Sequence, residues 1–239
     1  MPPSFPKNVQ LVSTTRFFDE NTRSCLIESG YDNFNLALHV DDNPIQVNNN
    51  RALLVSKYHL PAKPKFLEQT HSDICLEASS TQCLGDAVVT REKGVVCCVM
   101  TADCLPIFIS NHSGTQVAVA HTGWKGVLNG IIEATIAKFN QQDLLVHFGP
   151  AISQENFEVG QDVFDQFVNK SQTLEKAFIP FKDKYKLDIY QAASIILNDL
   201  GVKNISGGDQ CTFAQADQYF SYRRDGAQSG RMAHLIWME

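Results

Sequence analysis

Three apolar segments between residues 94 and 120 constrain the fold of this chain more than any other feature. Gly94 to Thr101 reads GVVCCVMT, Leu105 to Ser110 reads LPIFIS, and Thr115 to Ala120 reads TQVAVA. A strand with one solvent-exposed face alternates apolar and polar residues, whereas a continuous apolar segment is typical of a strand buried on both faces. The segments therefore predict three strands that lie inside the protein.

Helical spacing begins after these strands. Apolar residues recur every three or four positions from Val127 to Phe139, which predicts an amphipathic helix. Helices are also predicted at about residues 156–169 and 189–200. The second of these begins after Asp188, a good N-cap residue, and ends at Gly201, a good residue to follow a helix.

Two further strands complete the pattern, at residues 144–148 and at 231–238, where the sequence reads RMAHLIWM. Strands and helices alternate without a strict βαβ rhythm, so the fold class is α/β of an irregular kind, or α+β. No stretch rich in proline, glycine or serine divides the chain, and no repeat is present. We therefore expect a single domain over residues 1–239.

Composition and charge exclude several classes of protein. The chain has 239 residues and a formal net charge of −6, which argues against nucleic acid or an anionic membrane as the main partner. No apolar run approaches the roughly 20 residues of a transmembrane helix, and the first residues do not form a secretory signal. We expect a cytoplasmic protein whose seven cysteines, without a C-x-x-C pair, are reduced.

One cysteine and two histidines stand where chemistry is expected. Cys104 and His121 each follow an apolar strand, and His71 lies in the segment FLEQTHSDI. Three protein ligands with an open fourth position form a catalytic zinc site, and zinc suits a mixed set of histidine and cysteine. A cysteine after a buried strand is also common as a plain core residue, so the spacing alone leaves both interpretations open.

Several motifs identify a family. TADCLPI, AHTGWKG, FGPAIS with FEVG, QTHSD, and SYRRDG with GRMAHLI together resemble the laccase-domain family, also called the multicopper polyphenol oxidase or YfiH-like family. The resemblance runs from near residue 33 to the end of the chain. It implies mixed β-sheets in a layered sandwich with flanking helices, and a zinc ion bound by His71, Cys104 and His121.

The resemblance also implies an activity. Bacterial members of the family include purine nucleoside phosphorylases, which cleave adenosine, inosine and methylthioadenosine with phosphate to the base and ribose 1-phosphate, and deaminate adenosine as a companion activity. Phosphate requires cationic or N–H donors, and an arginine grips it with two prongs. Arg51, in the family's N-R segment, is the first candidate, and Gln69 and Asn35 join it as candidate substrate-binding residues. Arg223 and Arg224 are a second possibility.

Neighbouring groups extend the candidate site. Asp103 beside Cys104 and Asp73 beside His71 are candidates to orient the ligands or to carry protons, and either is also a plausible loop cap. Cys211, in the segment GDQCTFA, is a candidate to approach the site, or a buried inert thiol.

Three alternatives remain open. The first is an amide hydrolase acting on cell-wall precursors, as the name peptidoglycan editing factor in this family suggests, with either Cys104 and His121 as nucleophile and base or zinc as the catalyst. A copper-dependent polyphenol oxidase is a weaker alternative, since the chain has seven histidines and no His-x-His pair, although copper could occupy the site adventitiously. A metal-stabilised binding module without turnover is the last. The oligomeric state stays unknown.

Overall fold

The computed structural model describes residues 5–18, 31, 34–140 and 143–239, so the predicted reduced thiol of Cys25 lies outside the described residues. The elements in chain order are β1 (Val9–Ser13), α1 (Pro44–Lys57), β2 (Cys75–Glu77), β3 (Ala87–Thr90), β4 (Cys97–Thr101), β5 (Leu105–Asn111), β6 (Val117–Thr122), α2 (Trp124–Asn129), α3 (Ile131–Ile136), β7 (Leu144–Phe148), β8 (Glu158–Val159), α4 (Gln161–Lys170), β9 (Phe178–Phe181), β10 (Lys184–Leu187), α5 (Ile189–Asp199), β11 (Asn204–Gly207), α6 (Tyr222–Asp225) and β12 (Met232–Met238).

The described strands form three sheets. A six-stranded mixed sheet has the order β11-β7-β5-β6-β3-β2, and a three-stranded antiparallel sheet has the order β1-β12-β4. A small third sheet, β8-β10-β9, lies beside the helices that follow β7. The chain passes from the three-stranded to the six-stranded sheet between β4 and β5, and this crossing places residues 102–104 at the junction of the two sheets.

The two larger sheets pack face to face between helical layers. Val99 of β4, Phe108 of β5 and Ile236 of β12 belong to one apolar cluster between the sheets. The opposite face of the six-stranded sheet packs on residues of α2, α3, α4 and α5, and the opposite face of the three-stranded sheet packs on α1. Every residue of β4, β5 and β6 is buried, which explains why their sequences lack alternation.

The fold class predicted from the sequence is confirmed, as are the strands at residues 105–110, 115–120, 144–148 and 231–238 to within two residues. The helix at 189–200 is also confirmed, since the Asp188 carboxylate accepts a hydrogen bond from the Gln191 N–H and Gly201 has φ of 85°. The single domain over residues 1–239 stays a prediction.

Two predicted helices have different bounds in the structure. The predicted helix from Val127 to Phe139 is two short helices, because Gly130 adopts φ of 100° and interrupts the hydrogen bonding between α2 and α3. The predicted helix at 156–169 begins only at Gln161, because Glu158 and Val159 pair with β10 as the edge strand β8. A left-handed glycine interrupts the first helix and strand pairing shortens the second, although the helical spacing of apolar residues continues through both positions.

Among the described residues, the six cysteines are free thiols, and no helix has the length and apolar character required to cross a membrane.

Candidate active site

Two loops and the end of a strand of the six-stranded sheet bring the predicted ligands together. Cys104 directly precedes β5, and His121 occupies the next-to-last position of β6, the antiparallel neighbour of β5 in which it faces Pro106. His71 lies in the loop before β2, with φ of 61°, a left-handed conformation that is rare outside glycine. Strand pairing therefore fixes two of the three positions, and the loop of the third carries backbone strain, as functional sites often do.

The three side chains form a compact donor set. One ligand atom from each of His71, Cys104 and His121 lies within 4.8 Å of the others. The Cys104 Sγ is 3.7 Å from the His71 Nε2, and the two imidazole rings are edge to face with centroids 4.7 Å apart. A sulfur and a nitrogen that share a tetrahedral zinc ion are about 3.6 Å apart at ordinary bond lengths. The chemistry and the spacing of the donors therefore fit a bound metal ion.

Asp86 holds both histidines. Its carboxylate lies 2.7 Å from the His121 Nδ1, and it accepts hydrogen bonds from the backbone N–H groups of Thr70, His71 and Ser72 and from the Ser72 hydroxyl. Asp86 immediately precedes β3, and its carbonyl accepts from the His121 N–H at 2.7 Å, so sheet register places it beside His121. A carboxylate on the outer nitrogen of a histidine fixes the tautomer that leaves Nε2 free to bind a metal.

The electrostatics of this cluster favour the ionised forms of Asp86 and Cys104. Burial raises the pKa of Asp86, but hydrogen bonds from His121 and Ser72 outweigh it and lower the pKa to about 2. Burial also raises the pKa of Cys104, yet the charge of His121 and hydrogen bonds from both histidines lower it to about 6. The same thiolate and Asp86 overcome the burial of His121 and raise its pKa to about 9. Thiolate is the form of cysteine that binds metals and acts as a nucleophile.

Asp103 joins the segments that surround Cys104. It has φ of 84°, and its carboxylate accepts hydrogen bonds from the Thr212 hydroxyl and the Arg223 backbone N–H, both at 2.6 Å. Its carbonyl accepts from the Ile152 N–H. Both carboxylate oxygens therefore hold neighbouring loops, which corresponds to the loop cap among the roles considered for this residue, and a role in orienting the ligands stays a prediction.

The donor set opens into a cavity of about 510 Å³, a size typical of small-molecule sites. Trp124, Phe157 and Tyr222 supply aromatic surface to its lining. Basic groups also line it: His39, Lys125, Arg223 and Arg231. The cavity therefore combines flat apolar walls with positive charge next to the donor set.

Of the predicted substrate-binding residues Gln69 and Arg51, one lines the cavity and the other does not. Gln69 lines the cavity, but its amide is held by the backbone of Met100, to whose carbonyl it donates and from whose N–H it accepts, each at 2.7 Å. Arg51 is not among the lining residues; its Nε donates to the Leu36 carbonyl and its guanidinium lies 3.7 Å from the Phe66 ring centroid. A phosphate contact by Arg51 stays a prediction.

Asn35 has a structural role in this conformation. It is fully buried and donates to the Ala37 carbonyl and the Asp42 carboxylate, and its Oδ1 accepts from the N–H groups of Ala37 and Arg231. These contacts use both N–H donors and both lone pairs of the amide. The side-chain amide therefore has no free donor or acceptor for the substrate contact that the sequence suggested. In this conformation Asn35 instead holds the backbone of Arg231.

Of the second pair of arginines, only Arg223 lines the cavity. Arg224 forms a two-pronged ion pair with Asp225 and donates to the carbonyls of Thr212, Phe213 and Tyr219, so its guanidinium is fully engaged in the fold.

Two other candidates lie outside the cavity lining. Asp73 is exposed beside the His71 loop. The Cys211 thiol accepts hydrogen bonds from Ser153 and Asn156. Burial raises the pKa of Cys211, but these and neighbouring backbone donors outweigh it and lower the pKa.

Sequence reasoning missed Asp86, His39 and Arg231. Asp86 is 35 residues from His121 and belongs to no local motif. The one available signal was its position directly before an apolar strand, comparable with the position of Cys104 directly after one. His39 belongs to none of the motifs considered, yet it lines the cavity, where burial, Arg231, Arg51 and His121 lower its pKa. These causes favour the neutral form of its imidazole.

Comparison with known proteins places these features in a family. A family model described as multi-copper polyphenol oxidoreductase laccase matches residues 17–239. A Haemophilus influenzae protein named purine nucleoside phosphorylase is 43% identical over 98% of this chain and 96% of its own length. The Escherichia coli purine nucleoside phosphorylase YfiH is 41% identical over 98% of this chain and 95% of its own length.

Solved structures agree with the sequence matches. A crystal structure of a Neisseria meningitidis protein superposes with a TM-score of 0.90 at 38% identity, covering 100% of this chain and 98% of that chain. YlmD from Geobacillus stearothermophilus superposes with a TM-score of 0.84 at 27% identity, covering 98% of this chain and 93% of that chain. The architecture described above is therefore shared with these two solved structures.

Proposed function

The chain belongs to the family of multi-copper polyphenol oxidoreductase laccases, and on that premise we propose that it is a zinc-dependent purine nucleoside phosphorylase acting on adenosine, inosine and methylthioadenosine. The observation that carries the proposal is the convergence of His71, Cys104 and His121 on a cavity with aromatic and cationic walls. The names of the relatives support the reaction class. We expect the enzyme to act in the cytoplasm, without a nucleic-acid or membrane partner.

The residues match what phosphorolysis requires. A phosphate oxygen forms a bond to C1′ of the ribose, the C1′–N9 bond breaks with its electron pair leaving on the base, and the base takes up the proton that hydrogen phosphate gives up. A zinc ion held by the three ligands would supply Lewis acidity to substrate oxygen atoms. Trp124, Phe157 and Tyr222 offer surfaces for a purine ring, and basic side chains offer charge for phosphate.

Product analysis tests the reaction. Purified protein with adenosine and phosphate is expected to release adenine and ribose 1-phosphate in equal amounts, and to release no adenine when phosphate is omitted. The His71→Ala variant should lose at least about 100-fold in kcat/KM, as expected for the loss of a metal ligand. His112→Ala, which changes an exposed histidine outside the cavity lining, should be unaffected. Adenine release that is independent of phosphate would exclude a phosphorylase.

Metal analysis tests the cofactor. We expect about one zinc ion per chain, as in three-ligand catalytic sites. Removal of the metal with a chelator should abolish turnover, and zinc should restore it. Equal restoration by copper, together with oxidation of a polyphenol, would instead favour the oxidase that the family description names. The described residues contain a single group suited to a metal, which does not favour an enzyme with several copper centres.

Adenosine deaminase activity is proposed at the same site. It needs water in place of phosphate, so ammonia and inosine should form from adenosine in phosphate-free buffer. The activity should disappear in Cys104→Ala and in metal-free protein. Persistence of ammonia release in both preparations would point to a contaminating deaminase.

A second candidate function is favoured by the spatial arrangement of Asp86, His121 and Cys104, in which the carboxylate contacts the imidazole and the imidazole lies beside the thiol. The carboxylate contacts the His121 Nδ1, and the Cys104 thiol has a pKa of about 6, as in a nucleophilic cysteine activated by an oriented histidine. Such a site would hydrolyse an amide of a peptidoglycan precursor without metal. His71 separates the two functions, because His71→Ala and chelation abolish a metal enzyme but leave a cysteine–histidine enzyme active.

A further inference from the structure

The charge of the cavity is opposite to that of the chain. The protein has a formal net charge of −6, yet three cationic side chains, Lys125, Arg223 and Arg231, line the cavity beside Asp103 and the Cys104 thiol. Asp103 accepts two hydrogen bonds of 2.6 Å, from Thr212 and the Arg223 N–H, so its charge is already engaged. A positive cavity in an acidic protein attracts anions and concentrates them at the site.

Arg231 differs from the other basic groups of the lining because it is largely buried and forms no ion pair with a carboxylate of the described residues. Among the described residues, no ion pair includes Arg231 or Arg223. Within the part of the chain that the structure describes, Arg231 Nη1 donates to the carbonyls of Ser229 and Gly230. Burial lowers its pKa, although the nearby Cys104 and Asp103 act in the opposite direction. A buried cation of this kind is costly unless an anion joins it.

The surroundings hold Arg231 in place. Asn35 Oδ1 accepts from the Arg231 backbone N–H at 3.0 Å, and the Arg231 carbonyl accepts from the Leu36 N–H. The Tyr222 ring lies 5.7 Å from the guanidinium carbon. The next residue begins β12, which is fully buried. The backbone of Arg231 is therefore fixed, and the residue lines the same cavity as His71, Cys104 and His121.

We propose that Arg231, assisted by Arg223, forms the subsite for a tetrahedral oxyanion, which is inorganic phosphate in the reaction proposed above. The identity of the anion as phosphate rests on the proposed function. Its location rests on the positions of the two arginines in the cavity lining. It assigns the anion to arginines that line the cavity, in place of Arg51, whose guanidinium packs on Phe66. Arg223 contributes from the exposed side, with Nη1 donating to the Glu158 carbonyl.

Equilibrium binding of inorganic phosphate tests the subsite independently of turnover. Calorimetry on metal-loaded protein, freed of excess metal, should show saturable phosphate binding that is about 10- to 100-fold weaker in Arg231→Gln, as expected for the loss of charge-assisted hydrogen bonds. Arg223→Gln should weaken binding less. Arg91→Gln is the control, since it removes one positive charge from an exposed ion pair outside the cavity lining. Equal affinity in Arg231→Gln and Arg91→Gln, or no phosphate binding by the unaltered protein, would overturn the subsite.

Steady-state kinetics separate this role from a purely structural one. The KM for phosphate should rise at least about 10-fold in Arg231→Gln while the KM for adenosine changes little. If both KM values rise together, Arg231 shapes the cavity and binds no anion. Arg231→Lys keeps the charge but not the two-pronged geometry, so it should bind phosphate about 10-fold more weakly. This variant decides the question if Arg231→Gln does not fold, and unchanged binding by it contradicts the proposal.

The subsite and the proposed function can fail separately. Phosphate binding that depends on Arg231 in a protein that releases no adenine would keep the oxyanion subsite and exclude the phosphorylase. Phosphate-dependent adenine release with full activity in Arg231→Gln would keep the phosphorylase and exclude this subsite.

Discussion

Asp86 illustrates how strongly the donor set depends on a residue that does not itself belong to it. Its carboxylate contacts the ring of His121 and the backbone of the His71 loop, and it is fully buried. The loop at His71 has a left-handed backbone conformation that requires this support. Positions of two histidines from distant parts of the chain are thereby coupled through one side chain.

Replacement of this carboxylate should weaken metal binding without removing a ligand. In Asp86→Asn the amide no longer supplies the charge that favours the His121 Nδ1–H tautomer, so we expect about 10- to 100-fold lower zinc affinity. Competition with a chromogenic chelator measures the change. Asp73→Asn, at an exposed position beside the same loop, is the matched control, and an equal effect in both variants would contradict the role of Asp86.

Gly123 sets the space available to the ligands. A Cβ at this position would lie 2.6 Å from the His71 Cδ2 and 2.8 Å from the Cys104 Sγ. Gly123→Ala must therefore displace at least one ligand, and we expect strongly reduced zinc content and activity in a protein that still folds. Elemental analysis and circular dichroism provide the two measurements.

Gly201→Ala is the control for this substitution. A Cβ there has no atom within 4 Å, although φ of 85° strains the alanine. The control should lose about 1 kcal/mol of stability and keep its zinc. Full zinc content in Gly123→Ala would show that the ligands tolerate the added methyl group.

At the scale of elements, Gly130 divides the segment after His121 into two helices. The residue has φ of 100° and its N–H donates to the Gly126 carbonyl, so α2 ends there and α3 starts in a new direction. The turn lets Ile131 and Ile132 enter the core below the six-stranded sheet, while Trp124 and Lys125 at the start of α2 line the cavity. Because of the break, one short segment contributes residues both to the core and to the cavity lining.

Gly130→Ala should destabilise the protein more than it affects the site. The left-handed conformation costs a residue with a Cβ about 1–2 kcal/mol, and a Cβ there meets only the distant Glu133 side chain. Urea unfolding should show this loss, with the zinc content and the KM for adenosine unchanged. An unchanged free energy of unfolding would indicate that the two helices can join without harm.

At the scale of the whole molecule, His234 connects the strands that support the cavity. Its ring is fully buried in β12, with Nδ1 2.9 Å from the Ser13 hydroxyl of β1 and Nε2 2.8 Å from the Thr101 hydroxyl of β4. The Phe108 ring of the six-stranded sheet lies 6.2 Å away. Burial and the nearby charge of His121 lower the pKa of His234 to about 3.

This shift predicts acid sensitivity. An unfolded histidine has a pKa of about 6.5, so below that pH the unfolded chain binds a proton that the folded protein rejects. The stabilisation is complete above pH of about 6.5 and decreases as the pH falls toward 3, by at most about 1.4 kcal/mol per pH unit. His234→Gln should flatten the dependence of the unfolding free energy between pH 6.5 and 4, and an identical slope would contradict the assignment.

The sequence by itself determined the internal strands, the helix at 189–200 and the family. Its continuous apolar runs reflect burial on both faces, which is a local consequence of composition, and the capping residues Asp188 and Gly201 act on their own backbone neighbours. The ligand types were also evident, because a thiol and two imidazoles occupy motifs that can be read without any three-dimensional information.

Only the tertiary structure decided which other groups surround the ligands. Asp86 meets His121 through the pairing of β3 with β6, and Arg231 enters the cavity because β12 pairs with β4, whose last residues lead to Cys104. These contacts join positions separated by 35 to more than 100 residues. No periodicity or spacing encodes them, since strand register and the packing of two sheets depend on the whole core being assembled at once.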